Sequence, residues 1–531
     1  MNFAIAYYII TKERRVYMLK KYIVLMLLII FIINGLGLLI SCEKSEQDEN
    51  SNDELDNFEV NEISENWDFM GGEWIMNENQ ISINSTETEA ALTTGTVPAN
   101  FTYQAEVYIG KRGEAGLLFR TTQNEDNSLN GYYFAANTTT QKVLFYRIFK
   151  GEKTLVADKK LTLEPETWYE VRIDVYRNRI YCYWLNNKND SDPYPQFDLV
   201  DDRYWEGVTG IQGINEASFR GFSVDEYTPP KSAKTYRNPL KENSADPFVL
   251  LHDGMYYLYA TSSDSGFQVF SSPDMSSWKD EGWALRKEDS WGDRWFWAPE
   301  IIVKDGIFYM YYSVEEHLCV ATSDSPLGPF KQEVKSPIHP NIKEIDGHVF
   351  LDDDGKYYIY FVRFDNGNNI WGAELNDDMA SIKRDTLIRL LIPTEDWEKA
   401  MYPVVEGPFI LKHERMYYLT YSGDHFESPG YGVGYAISDN PLGPFVKHKN
   451  NPIMQSNTLV HGAGHHSFVR SPDGTELFMV YHIHNNTTAV QPRRTCIDRA
   501  KFVPVNGGPD ELLVYGPTLT PQPVPSGSVS Q

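Results

Sequence analysis

Asp246, Asp346 and Glu406 occupy matching places in a phrase that the sequence states five times. Asp246 leads to Val249, a His252-Asp-Gly254 turn and the pair Tyr256-Tyr257. Ala298 leads to Ile301, Lys304-Asp-Gly306 and Phe308-Tyr309. Asp346 leads to Val349, Asp352-Asp-Asp-Gly355 and Tyr357-Tyr358. Glu406 leads to Phe409, Lys412-His-Glu-Arg415 and Tyr417-Tyr418, and His465 to Phe468, Ser471-Pro-Asp-Gly474 and Leu477-Phe478. The intervals are 52, 48, 60 and 59 residues. Two carboxyl groups across a sugar can hydrolyse a glycosidic bond. One stays ionised and activates water; the other stays protonated and serves the leaving oxygen. A third carboxylate beside them raises the pKa of the acid by like-charge repulsion and fixes its orientation. His465 could contact the sugar, hold a central cation such as a structural calcium, or satisfy a core hydrogen bond. Trp297, beside the second phrase, is expected at the mouth of the site, its face against a sugar ring. The chemistry requires no cofactor.

Such residues meet only if the repeats form a closed ring. Each repeat reads as a strand, a tight turn, a strand and further strands, which is one propeller blade, and five blades make a β-propeller. A second phrase supports the period: Ser323-Asp-Ser-Pro-Leu-Gly-Pro-Phe330 returns as Ser438-Asp-Asn-Pro-Leu-Gly-Pro-Phe445. Solenoid repeats are usually shorter and more uniform. In a propeller the equivalent innermost positions converge on one central cavity. The segments 366–371 and 424–432 are expected to wall it; Arg493-Arg494 could reach the pocket, with a solvated pair the favoured reading.

Ahead of the propeller, 57–227 alternates in short strands. Phe101 to Tyr108 and Trp168 to Val175 have period two, and Arg177-Asn178-Arg179 turns the latter into Ile180 to Trp184. The expected fold class is therefore all-β, a β-sandwich of jelly-roll type followed by a five-bladed β-propeller over 235–525. Pro229 and Pro230 break the last strand of the sandwich and stiffen a linker at 228–234.

Composition sets the outer limits. The chain has 531 residues, 41 % of them hydrophobic and 23 % charged, enough to bury cores in several domains. Aromatics reach 14 %, which suits both β-sheet packing and carbohydrate stacking. Asp and Glu number 74 against 48 Lys and Arg, a net charge of −26, which argues against nucleic acid as a partner. Cys42, Cys182, Cys319 and Cys496 show no CxxC spacing, so neither a zinc site nor a disulfide framework is indicated.

The N-terminus reads as a targeting segment, 1–42. Lys20-Lys21 precedes an apolar run from Tyr22 to Ile40 that ends in Leu39-Ile40-Ser41-Cys42. This ending resembles a bacterial lipobox, which implies that Cys42 becomes the lipidated first residue and that the protein is membrane-anchored in the cell envelope. Met18 looks like the natural start, making 18–42 the signal. The run is also about long enough for a plain transmembrane anchor. The acidic stretch 43–56 reads as a solvated tether and resembles a surface-export signal.

The propeller region resembles glycoside hydrolase family 43. Arg237-Asn-Pro-Leu240 with Ala245-Asp246-Pro247 matches the family's general-base region, and Trp297-Ala-Pro-Glu300 its second-blade motif. Ile345-Asp-Gly-His-Val-Phe350 matches the strand of the pKa modulator, Val405-Glu-Gly-Pro-Phe409 that of the general acid, and Gly464-His-His-Ser-Phe468 the fifth-blade histidine motif. The resemblance implies an inverting glycosidase acting on terminal α-L-arabinofuranosyl or β-D-xylosyl residues of plant-type polysaccharide. Endo-arabinanases and galactosidases belong to the same family. Gly347 and Gly407 stand where Pro and Ala are common. Ala115 to Arg120, Gly131 to Phe134 and Gly210 to Ile214 resemble the concanavalin-like fold of carbohydrate-binding modules. A non-catalytic glycan-binding lipoprotein is the rival reading, but a pure binder has no need of Asp246, Asp346 and Glu406 together. Invertase-like families typically carry Asn-Asp-Pro-Asn-Gly, which Ala245-Asp-Pro-Phe248 does not fit.

Overall fold

The computed structural model describes residues 66–77, 79–185, 194–228, 234–505 and 507–528. The readings of Cys42, the 43–56 tether and most of the linker lie outside them. The described residues belong to one unit, 57–531.

The N-terminal half is a folded-over antiparallel sheet. Its organising element is the long strand Val208–Glu226. Residues 208–214 pair with Glu114–Gln123, and 217–226 pair with Phe101–Ile109, so one strand passes from one layer to the other. Strict alternation along Phe101–Ile109, buried at every odd residue, turns Phe101, Tyr103, Ala105, Val107 and Ile109 into the shared core. Leu513 and Tyr515, from the end of the propeller, enter that same core. Asn450 donates to Thr162 at 2.8 Å, and Gln522 to Asp198 at 2.7 Å, so the sandwich is fastened to the last two blades.

The second half is a five-bladed propeller. The innermost strands are Ala245–His252, Trp297–Lys304, Glu344–Leu351, Val405–His413 and Gly464–Arg470. Each hairpins into the next strand of its blade, and the second blade alone stops at three strands. The ring is closed by the segment that enters it. Thr235–Tyr236 pairs with Gln522–Pro523, and the Asn238 carboxamide both donates to Ile497 O (2.8 Å) and accepts from Ile497 N (2.9 Å).

Every innermost strand carries a β-bulge at the same place, between Ala245 and Phe248, Trp297 and Glu300, Ile345 and His348, Glu406 and Phe409, and Gly464 and Ser467. The first bulged residue is left-handed in all five, with φ of 47° at Asp246, 47° at Ala298, 58° at Asp346, 54° at Gly407 and 45° at His465. Only Gly adopts this region without cost, and four non-Gly residues there store about 1–3 kcal/mol each. The bulge frees one N–H per blade, and a side chain of the preceding blade takes it. Ala298 N donates to Thr261 Oγ1 (2.9 Å), Asp346 N to Ser313 Oγ (3.1 Å), His465 N to Ser422 Oγ (2.8 Å) and Asp246 N to His482 Nδ1 (3.2 Å). These four acceptors sit at one register position, opposite Ala245, Trp297, Glu406 and Gly464. In the third blade that position is Val362, which has nothing to offer. Gly407 N turns instead to Asp346 Oδ2 at 3.2 Å.

Candidate active site

The bulges re-aim side chains into a cavity of about 990 Å³ at one end of the propeller axis. Asp246, Asp346, Glu406, His465 and Trp297 all line it, so the five residues singled out from the sequence of this domain meet in one place.

One correction concerns register. Bulge geometry makes Gly407, not Glu406, the equivalent of Asp246 and Asp346. Glu406 stands one residue earlier, at the position held by Trp297 in blade two and Ile345 in blade three. The carboxyl group of blade four thus enters the cavity from a neighbouring ring of positions.

The three carboxyl groups have different surroundings. Asp246 is 7 % exposed, and its Oδ1 accepts from Arg493 Nη1 at 2.8 Å, with His465 Nδ1 3.4 Å away. Burial alone would raise its pKa, but the Arg493 charge and then His465 outweigh burial and hold it well below the usual carboxylate range. His482 is pushed down to about 3 by burial and by Arg493, so it is a neutral acceptor for the Asp246 N–H.

Glu406 is bound through both oxygens. Tyr431 Oη donates to Oε1 at 2.8 Å and Asn368 Nδ2 to Oε2 at 3.0 Å. Burial pushes its pKa up to about 7; these two hydrogen bonds oppose the rise and the Asp246 charge adds to it. Asp346 has no cation beside it. Burial, then the charges of Glu406 and Asp246, push it well above the usual range. Burial raises both groups, and Asp346 and Glu406 add to the rise by acting on each other as like charges. The visible task of Asp346 is the bond from Gly407 N, which fixes the peptide next to Glu406.

Arg493 overturns the reading of Arg493-Arg494 as a solvated pair. Its side chain is 11 % exposed, packed under the Phe426 ring at 4.7 Å and bonded to Asp246. It sits immediately before the third strand of blade five, Arg494–Val503, where no periodic pattern marks it. Tyr431, Asn368 and His482 were also missed as single residues. The first two fall inside 424–432 and 366–371, the segments expected to wall the cavity, and His425, Phe426 and Glu427 do line it. Trp297 lies parallel to Trp295, with ring centroids 5.8 Å apart and planes at 14°, giving an aromatic rim. Gly407 is held by its left-handed backbone (φ 54°), while a Cβ there would meet the His465 ring only at ordinary contact distance, 3.4 Å.

At the cavity His465 faces Asp246, whose carboxylate is also paired with the Arg493 guanidinium. Among the described residues the one convergent group of three ligating side chains is His413, Glu414 and Asp510, none of which lines the cavity.

Residues 236–505 match the profile described as glycosyl hydrolases family 43, and residues 52–222 match that of a 3-keto-α-glucoside-1,2-lyase-like domain. The chain is 31 % identical over 283 residues to a β-D-galactofuranosidase of Aspergillus niger, covering 49 % of this chain and 79 % of that protein. It is 29 % identical to a xylosidase/arabinosidase of Bacteroides ovatus, covering 41 % and 80 %. Among solved structures, a thermostable family-43 glycoside hydrolase is 39 % identical with a TM-score of 0.52, covering 55 % of this chain and all (100 %) of that one. An endo-1,4-β-xylanase from Bacteroides thetaiotaomicron is 42 % identical with a TM-score of 0.50, covering 54 % and 98 %. The profile match takes in the innermost strand of all five blades and each carboxyl group of the cavity, and the chain belongs to glycosyl hydrolase family 43.

Proposed function

We propose that the protein is an inverting glycosidase that releases arabinofuranosyl or xylosyl residues from plant-type polysaccharide, with Asp246 as general base and Glu406 as general acid. The observation that carries this reading is the opposite treatment of two carboxyl groups in one cavity. Arg493 keeps Asp246 ionised, while burial keeps Glu406 protonated to about pH 7. In the reaction, water attacks the anomeric carbon and passes a proton to Asp246. The glycosidic C–O bond breaks as Glu406 gives its proton to the departing oxygen. Asp346 positions Glu406 through Gly407 N, and Trp297 and His465 contact the sugar. The xylosidase/arabinosidase relative supports the sugar class, and the galactofuranosidase relative favours a second reading in which the sugar is galactofuranose.

The pH–rate profile tests the assignment. kcat/KM for an unactivated glycoside falls as pH rises through about 7, where Glu406 loses its proton, and its acid limb lies below the ordinary carboxylate range because Asp246 resists protonation. Arg493→Met removes the opposing charge and moves the acid limb up by about 1–3 pH units. Asp346→Asn keeps the acceptor for Gly407 N but removes the neighbouring charge, so the alkaline limb falls below 7. An alkaline limb that stays near 7 would show that burial, rather than the charge of Asp346, sets the acid.

The same reading makes Cys42 the lipid-bearing N-terminus of an envelope protein, supported by the sequence of 20–42. Fatty-acid labelling of the full chain is lost in Cys42→Ala; labelling that persists rules out this anchor.

A further inference from the structure

The propeller cavity has two unlike flanks. Beside Asp246 the lining is polar, with Ser244, Thr261, Ser262, Ser263 and Gln491. Beside Glu406 it is apolar, with Phe364, Met401, Tyr402 and Val404. Phe364 pairs with Asn368, whose Nδ2 donates to Glu406 at 3.0 Å, and residues 401–404 run directly into the strand Val405–His413. Phe364, Met401 and Tyr402 are 43, 52 and 54 % exposed. One apolar side chain in water is ordinary, whereas three gathered beside one carboxyl group at a cavity mouth mark a surface meant to be covered.

The segment that presents Met401 and Tyr402 is tied down at both ends. The N–H groups of Met401 and Tyr402 both donate to Asp424 Oδ1, at 2.8 and 3.0 Å, and Asp424 is fully buried. Asp424 N donates in return to Val404 O at 3.1 Å, and Asn368 N donates to Pro403 O at 3.1 Å. At the start of the segment Glu398 is also fully buried. It accepts from Glu395 N at 2.9 Å and from Tyr421 Oη at 2.6 Å, and it is ion-paired with Lys447. The backbone is thus fixed while two large side chains stand in water, so a ligand that covers them meets a surface already in place.

The chemistry of the site says what that ligand is. In a single displacement the water comes from the side of the base and the leaving group departs on the side of the acid. The polar flank at Asp246 suits water. The apolar flank at Glu406 lies where the departing group stands, and the C–H face of a sugar ring covers aromatic and apolar side chains well. We propose that Phe364, Met401 and Tyr402 form the surface that receives the leaving-group sugar and select substrates that carry a ring there. This rests on the assignment of Glu406 as the acid.

The test compares kcat/KM on oligosaccharides of arabinoxylan, arabinan and galactan with kcat/KM on the glycosyl fluoride of the sugar released, which has no ring on the leaving side. Tyr402→Ala and Phe364→Ala each lower the oligosaccharide value about tenfold, the size of one lost aromatic contact, and change the fluoride value by no more than about twofold. Retention of fluoride hydrolysis also shows that the fold and the two carboxyl groups are intact. Tyr402→Phe keeps the ring and stays close to the parent on both substrates. Equal losses on oligosaccharide and fluoride, or unchanged oligosaccharide values in both alanine variants, overturn this inference and leave the roles of the carboxyl groups standing. A parent that hydrolyses the fluoride and none of the oligosaccharides overturns it too. A parent that hydrolyses neither contradicts the assignment of Asp246 and Glu406, and this inference falls with it.

Discussion

Asp246→Asn lowers kcat/KM by about 10²- to 10⁴-fold on every glycoside, whatever its leaving group. The carboxamide is nearly isosteric and can still accept from Arg493 Nη1, but it cannot take a proton from water. Its nearest neighbours are otherwise engaged: His465 is buried with its pKa pushed down, and Asp346 is bonded to Gly407 N. Steady-state rates on an oligosaccharide and on an activated aryl glycoside check this. Loss on one substrate and not on the other would remove Asp246 from the role of base.

Glu406→Ala separates substrates instead. A sugar alkoxide leaves only when protonated, so hydrolysis of natural glycosides drops by about 10²-fold or more. A good aryl leaving group departs without a proton, and its rate is largely spared. The dependence of log kcat on leaving-group pKa therefore steepens in the variant. An equal loss across the series, with bond cleavage rate-limiting, would show that Glu406 is not the acid.

The architecture was legible because a propeller repeats its hairpins. The Asp-Gly turns and aromatic pairs recur at blade length, and each marks a real strand–turn–strand unit, as with His252-Asp-Gly254 between Ala245–His252 and Met255–Thr261. Glu406 was found for its chemistry and placed one residue off in register. The proline signal points to the right register: Asp246, Ala298 and Gly407 each precede a proline, at 247, 299 and 408. Glycine before Pro408 is what a left-handed bulge residue prefers. Carboxylate matching overrode that signal because two of the other blades place an acid on the strained position itself.

The charge partners were less visible. Arg493 acts on Asp246 across 247 residues of chain, through a loop end with no periodicity. Ser313, Ser422 and Thr261 look like ordinary strand residues, and only the freed bulge N–H groups give them a purpose. The link from Asp346 to Gly407 follows from an apolar Val362 at the equivalent place, an absence legible only once strand register is known. In the sandwich, the alternation of Phe101–Ile109 was readable, whereas the passage of Val208–Glu226 from one layer to the other shows only in its pairing with two different strands.

The most direct test of the two-carboxyl account is the anomeric configuration of the first sugar released, followed by ¹H NMR with enough enzyme to outrun mutarotation. One displacement by water activated at Asp246, with Glu406 protonating the leaving group, gives product of inverted configuration: a β-xyloside yields α-xylose first, and an α-L-arabinofuranoside yields the β anomer. Product that first appears with the configuration of the substrate would mean a double displacement through a covalent glycosyl-enzyme, and would contradict the roles assigned to both carboxyl groups.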